Sequence, residues 1–243
     1  MELIINADDF GMSKSRNEAI TQCFLKGLIN QTTIMVNMAC FEEAVELSKQ
    51  YSFFNKVGLH LNLMEGKPLT EEIKLFKEIC SEGHFNGNLQ KYLRKNFFIP
   101  KVMKKAIHKE IEAQILKYTK TGFTLKHVDS HFHIHNELFI YKIIKPLCLK
   151  YHVESMRILR NLMNKDHFVA FVKYIYKRII NHDIKKSFSH TDYFGSYEDY
   201  KQYYQKDKQS VEIMLHPDII NGELVDVIND DFVPLNKYLY KND

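Results

Sequence analysis

The stretch ELIINADDFGMSKSRNEAITQCFLKG, residues 2–27, reads as a strand, a turn and a helix in immediate succession. ELIINA holds a short continuous apolar run, the pattern of a strand buried on both faces of a parallel sheet. The run stops at DDFGMSKS. Ser15 and Glu18 then stand at capping-box spacing, Ala19, Ile20, Cys23 and Phe24 make one apolar stripe, and Gly27 supplies a terminator. TTIMVNMA predicts a second strand, FEEAVELSKQYS a second helix and KVGLHLNL a third strand. Strand, helix, strand, helix, strand is the rhythm of parallel βαβ units.

The same rhythm continues downstream. KKAIHKEIEAQILKYTKT is a helix with Ile107, Ile111 and Ile115 at four-residue steps, FTLKHVDSH a strand and ELFIYKIIKPLCLKY a helix. ESMRILR and VEIMLH read as further short strands. A chain of 243 residues with this content fits a barrel or a doubly wound sheet. No composition shift marks a second domain, so residues 1–243 are expected to form a single domain. One irregular insertion, around residues 80–103, runs EGHFNGN and then KYLRKNFFIPKVMKK. It reads either as a solvated helix and loop or as a segment that covers a site or reaches a partner.

Composition narrows the function classes. Apolar residues are 45% and charged residues 26%, as in ordinary globular proteins. A net charge of +4 is too mild over this length to argue for nucleic acid. No apolar run is long enough to span a membrane, and the N-terminal residues lack the basic and apolar regions of a secretory signal. Cys23, Cys40, Cys80 and Cys148 form no C-x-x-C pair and are expected to be small buried hydrophobes in a reducing compartment. A cytoplasmic protein is therefore expected. The oligomeric state is not legible, and a homodimer is left open.

Polar residues recur where apolar strands end: Asp8 and Asp9, His60, His131, Arg157, and His216 before Pro217. In parallel α/β folds the C-terminal strand ends share one face, and that face carries the active site. Two adjacent carboxylates at a strand end resist joint ionisation unless a cation relieves them. A metal would leave one as ligand and the other as base; the plainer reading is a turn or helix cap. HVDSHFHIHN, residues 127–136, is dense in imidazole. As a strand it would put His127, Asp129, His131, His133 and His135 on one face, with neighbours roughly 6.6 Å apart. Metal–imidazole bonds are about 2 Å long, so one ion takes at most one or two of them. His131 is the first candidate. Asp129, His133 and His135 are left as partners of ligands, as substrate contacts or as surface. An Asp with two His leaves coordination positions open for water and substrate. His216 is suited to proton donation near neutral pH. Arg157 could orient a carboxylate or bind substrate.

NADDFG, GLHLNL with GKPLT after it, HVDSHFHIHN and MLHPD occur in this order across residues 6–218. Together they resemble the YdjC-like carbohydrate deacetylases. The resemblance implies a distorted (β/α) TIM-like barrel and a metal-dependent hydrolase acting on a carbohydrate. It implies a divalent metal held by Asp9, His60 and His131. Mg2+ is the family's metal, although this ligand set suits Zn2+ as well. It further implies Asp8 as base, His216 as the acid that protonates the departing amine, and Arg157 as a family arginine. Phe132 departs from the pattern: some relatives carry a histidine there, and a phenylalanine can neither ligate a metal nor transfer a proton. The implied reaction removes an acetyl group from an N-acetylated sugar, such as diacetylchitobiose or another short chitooligosaccharide, giving acetate and a free amino sugar. Phe132 and Tyr193 are candidates to stack on sugar rings, and Asp192 and Tyr193, in HTDYFG, to line the pocket. The alternatives are a metal-dependent phosphoesterase, which would recruit Asp129, His133 and His135 to a second ion, and a non-catalytic sugar-binding relative.

Overall fold

Strand β1 (Leu3–Phe10) runs further than its apolar stretch and takes in both aspartates. The computed structural model describes residues 2–96, 98–163, 168–204, 209–228 and 231–238. Helix α1 (Lys14–Leu25) follows, then β2 (Gln31–Ile34), α2 (Phe41–Gln50), β3 (Val57–Leu61) and α3 (Glu71–Lys74). The 80–103 segment holds a small hairpin, β4 (Cys80–Ser81) and β5 (His84–Phe85), and helix α4 (Leu89–Lys95); residue 97 lies outside the described residues. Beyond it come α5 (Lys101–Thr121), β6 (His127–Ser130), α6 (Leu138–Lys150), β7 (Ser155–Met156), α7 (Phe168–Ser187), β8 (Tyr193–Ser196), α8 (Tyr197–Tyr203) and β9 (Val211–Leu215). The described chain ends in β10 (Pro217–Ile220), β11 (Glu223–Ile228) and β12 (Asp231–Pro234).

Seven strands form one sheet in the order β7-β6-β3-β2-β1-β9-β8, and every pairing in it is parallel. The order is that of a barrel, with strands added outward from β1 and the last pair returning to its other side. The expected TIM-like barrel is nevertheless not closed. Its outer strands β7 and β8 share no ladder among the described residues; an isolated bridge between Ser155 and Ser189 stands in for one. The sheet is a curled half-barrel. β7 contributes only Ser155 and Met156 before the chain leaves the sheet at Arg157, too short an edge to complete the seam.

Several local expectations change. The N-cap of α1 is Ser13, whose hydroxyl accepts from the Arg16 N–H at 3.2 Å, and not Ser15 of the supposed capping box. The strand predicted over TTIMVNMA stops at Ile34. The strand predicted over FTLKHVDSH holds only His127–Ser130, and residues 131–136 coil into a tight turn. The antiparallel sheet β10-β11-β12 was not foreseen. All four cysteines are free, three of them buried and Cys40 half-buried. No helix among the described residues is long and apolar enough to cross a membrane.

β2, β3, β6 and β9 are buried throughout, and one apolar core, including Ile34, Leu59, Val128 and Ile213, packs them against the helices. Polar side chains at the C-terminal strand ends are therefore held against a stiff floor. At β1 that floor is shaped by a register shift. Ala7 pairs with Thr32 and Phe10 with Ile34, so β1 carries one residue more than its partner between those points. Asp9 sits at φ +67° and Gly11 at φ +89°. The Gly11 N–H donates to Asn17 Oδ1 at 2.8 Å, tying the turn to α1. A Cβ on Gly11 would lie 3.2 Å from the Met35 carbonyl. Gly11→Ala is expected to cost roughly 1–2 kcal/mol in left-handed strain alone and to lower the melting temperature by about 2–8 °C. A thermal melt unchanged from the parent would contradict this origin of the turn.

Candidate active site

The extra residue in β1 resets side-chain alternation, so adjacent aspartates enter one cleft at the C-terminal end of the sheet. Both are buried. Asp9 Oδ1 accepts from His131 Nδ1 at 2.7 Å and lies 3.3 Å from His60 Nε2, while Asp9 Oδ2 accepts from Arg16 Nη1 at 3.0 Å. Burial alone would raise the Asp9 carboxyl, but the charge and hydrogen bond of His131, with His60 behind it, hold it well below the usual range.

His60 is oriented from beneath. Its Nδ1 lies 2.7 Å from Asp129 Oδ1, and a carboxylate can only accept, so the ring proton is placed on Nδ1 and Nε2 faces Asp9. Thr33 Oγ1 donates to the other Asp129 oxygen at 3.0 Å. Burial opposes the charged imidazole, yet Asp129 overcomes it and pushes His60 up to about 10. His131 is likewise raised, against burial, by Asp9. Its Nε2 is buried without a hydrogen-bond partner, 3.7 Å from Glu65 Oε2.

Arg157 lies under this arrangement, fully buried. Its Nη1 and Nη2 donate to the two Asp8 oxygens at 2.8 and 2.7 Å, and Nε donates to Glu212 Oε1 at 2.6 Å. Nη1 is also 2.6 Å from Asp129 Oδ2. One planar guanidinium thus serves three carboxylates. Burial would raise Asp8 and Asp129; Arg157 outweighs it and lowers both. The sequence leaves Asp129 open as a partner of ligands or a substrate contact, and Arg157 as orienting a carboxylate or binding substrate. Neither lines the cleft, and both instead hold residues that do.

The histidine run does not alternate as a strand beyond Ser130. Phe132 and His133 both adopt left-handed backbone at φ +50°, which coils the chain and brings His131, Phe132 and His133 to the cleft together. His135 turns inward, with Nδ1 2.5 Å from Ser130 Oγ, and burial lowers it to about 3. His133 is pushed well below its ordinary value by burial and then by Arg157, so it is a neutral ring; its Nδ1 is buried and unpartnered. His127 is buried against Ser155 on the sheet.

His216 follows β9, the strand paired with β1, and lines the cleft, its Nε2 3.9 Å from Asp8 Oδ2. Its backbone N–H donates to Asp226 Oδ1 at 2.6 Å, and burial raises the Asp226 carboxyl. The cleft is about 560 Å³, within the range of small-molecule sites.

Asp192 and Tyr193 lie elsewhere. Tyr193 pairs with Val211 at the start of β8 and β9, the opposite end of the sheet from the cleft. Asp192 there accepts from the Ser210 N–H and hydroxyl at 2.9 and 2.8 Å. Neither residue lines the cleft. Sequence reasoning also missed Arg16, Thr33, Glu65, Glu212 and Asp226. Glu212 had a signal, since a carboxylate inside the apolar VEIML must find a cation if the strand is buried.

Asp9, His60 and His131 present ligand atoms within 4.8 Å of one another. Around them four buried carboxylates, Asp8, Asp9, Asp129 and Glu212, face two guanidiniums, Arg16 and Arg157. Carboxylate and imidazole donors gathered this closely are compatible with a divalent cation. A second ion does not fit as well: the other carboxylate groupings, Asp8–His60–Asp129 and His127–Asp129–Glu212, run through carboxylates that Arg157 occupies.

Comparison with known proteins adds an independent finding. The profile of the family described as YdjC-like protein matches residues 2–238. A carbohydrate deacetylase of Vibrio cholerae is 38% identical over 153 residues, which cover 63% of this chain and 57% of that protein's length. A carbohydrate deacetylase of Halalkalibacterium halodurans is 33% identical over 224 residues, covering 92% of this chain and 88% of the relative. Among solved structures, an Enterococcus faecalis protein named for cellobiose-phosphate cleavage aligns at a TM-score of 0.66 and 23% identity, over 90% of this chain and 82% of its own; at that identity the likeness is one of fold.

The Arg157 network makes a pH-dependent prediction. Asp8 and Asp129 titrate below ordinary carboxylates in the folded protein. Their stabilisation is present above about pH 4, where unfolded carboxylates are ionised, and is lost as pH falls through the folded values. Arg157→Met is expected to cost about 3–5 kcal/mol at pH 7 by leaving buried carboxylates unpaired. Urea titrations should show that deficit shrinking below about pH 4, and Arg157→Lys should recover only part of it. A deficit independent of pH would mean that packing, not charge, explains the residue.

Proposed function

The chain belongs to the YdjC-like family, and on that premise we propose that it is a carbohydrate deacetylase, hydrolysing the acetamide of an N-acetylated sugar to acetate and the free amine. The observation that carries the reading is one cleft receiving Asp8 and Asp9 from β1, His60 from β3, His131 after β6 and His216 after β9. An acid, a base and an open ligand set arrive there from four separate strand ends. The proposed substrate is a short chitooligosaccharide such as diacetylchitobiose.

In this mechanism Asp9, His60 and His131 would hold a divalent ion, which when bound polarises the acetyl carbonyl and acidifies water. Mg2+ follows from the family; two imidazole donors also suit Zn2+. Asp8 acts as general base. Arg157 keeps it ionised and fixes its plane through two hydrogen bonds, so it is oriented to take the proton of attacking water. His216, its Nε2 3.9 Å from Asp8 Oδ2, donates to the departing nitrogen, because an amine leaves poorly until protonated. Asp226 fixes the backbone at His216. His133, which lines the same cleft, is proposed as a substrate contact. The position of Arg157 argues against the two-metal phosphoesterase, since Asp129 is already committed to a guanidinium and to His60.

Acetate release should be measured across N-acetylated mono- and oligosaccharides. Asp8→Asn and His216→Ala are each expected to lower kcat by about 10²–10⁴ while calorimetric binding of Mn2+ or Zn2+ persists. Asp9→Ala should weaken metal binding itself. Acetate release unchanged in Asp8→Asn would remove its role as base. Phosphate release from a phosphoester, with no acetate from any sugar, would replace the deacetylase reading by the phosphoesterase.

A further inference from the structure

We propose that Phe132 is a stacking platform for the C–H face of a pyranose ring at the mouth of the cleft, and that the 80–103 segment exists in part to hold it there. The proposal rests on the deacetylase reading and extends it to substrate selection. Phe132 is 55% exposed while lining the cleft, although burial of a phenyl ring is normally favourable. Its ring meets that of His131 edge-on at 4.4 Å between centroids, so a sugar resting on it would carry its substituents to the Asp9–His60–His131 group. Val227 and Ile228 add apolar surface to the same cleft. The chain has no tryptophan, so any aromatic sugar platform must be built from Phe, Tyr or His.

The backbone shows that the exposure is imposed. In an extended strand Phe132 would point away from the face that His131 and His133 share. Left-handed conformations at Phe132 and His133 bring all three to the cleft, and such strain in residues with a Cβ persists only where neighbours enforce it. The enforcing interactions come from α4. Gln90 Nε2 donates to the Phe132 carbonyl at 2.7 Å, and Arg94 Nη2 pairs with Glu137 at 2.6 Å just past the turn. From within, the His135 N–H donates to Ser130 Oγ at 3.0 Å. The irregular segment thereby clamps the turn that presents the ring.

The test compares Phe132→Ala, Phe132→Tyr and Gln90→Ala in the full chain, using N-acetylglucosamine and diacetylchitobiose. Phe132→Ala should raise KM for the disaccharide about tenfold or more, the scale expected when a sugar ring no longer covers a phenyl face. Its kcat should stay within about twofold, because the reacting groups are untouched. Phe132→Tyr should restore KM, Gln90→Ala should raise it by a smaller factor, and Mn2+ affinity should remain that of the parent in all three. An unchanged KM in Phe132→Ala, with the parent active, would overturn the platform and leave the deacetylase standing. If the parent releases no acetate, saturation-transfer NMR with the same sugars decides: binding lost only in Phe132→Ala sustains the platform without the reaction. No binding by the parent overturns it.

Discussion

Everything at the cleft depends on Arg157. A guanidinium shut off from the surface is stable only if its donors are met, and three carboxylates from three different elements meet them. Glu212 comes from β9, Asp8 from β1 and Asp129 from β6, so the residue ties strands on both sides of the half-barrel to one point. It also decides protonation states above it. It lowers the Asp8 carboxyl, and by sharing Asp129 with His60 it helps set which imidazole nitrogen faces Asp9. Arg157 also stacks over Phe194 at 4.7 Å, which closes off its remaining face.

Above that floor, position is achieved by departures from regular backbone. A straight strand would send Asp8 and Asp9 to opposite faces, and a continued β6 would send His131 and Phe132 apart. The extra residue in β1, the positive φ of Asp9 and the paired left-handed residues after His131 each break that alternation where the cleft requires it. Such conformations cost of order 1–3 kcal/mol apiece. The surrounding core and the hydrogen bonds to Asn17, Gln90 and Ser130 keep them in place.

Much of this was legible from the chain itself, for a physical reason. Parallel βαβ topology puts C-terminal strand ends on one face, so the polar endings of LIINA, KVGL and VEIML could be expected to meet, and the structure brings Asp8, Asp9, His60 and His216 into one cleft. What could not be read was depth. For Asp129 and Arg157 the sequence leaves two roles open, substrate contact or support of a neighbouring carboxylate or ligand; only burial distinguishes a residue that touches a ligand from one that holds its neighbour. Asp192 and Tyr193 lie away from the cleft for a topological reason, since they stand at the start of a strand whereas Asp8, Asp9, His60 and His216 stand where theirs end. The seam between β7 and β8 was equally invisible, because ESMRILR has the composition of a full strand and yet yields two paired residues.

The balance of buried charge joins the floor to the chemistry above it. Asp8, Asp9, Asp129 and Glu212 are buried with His60 and His131, and the neighbouring carboxylates draw both imidazoles toward their charged forms against burial. Positive charge brought in at that group would meet the same carboxylates that draw on the imidazoles. A divalent ion at Asp9, His60 and His131 would supply it and free the imidazoles to act as neutral donors of electron pairs. A second ion would have to displace Arg157, and with it the partner that satisfies Asp8, Asp129 and Glu212 at once. The arginine under the floor thus favours a one-ion site, and a one-ion site with a spare oriented carboxylate is suited to hydrolysis with a separate base rather than to bridging a phosphate between two metals.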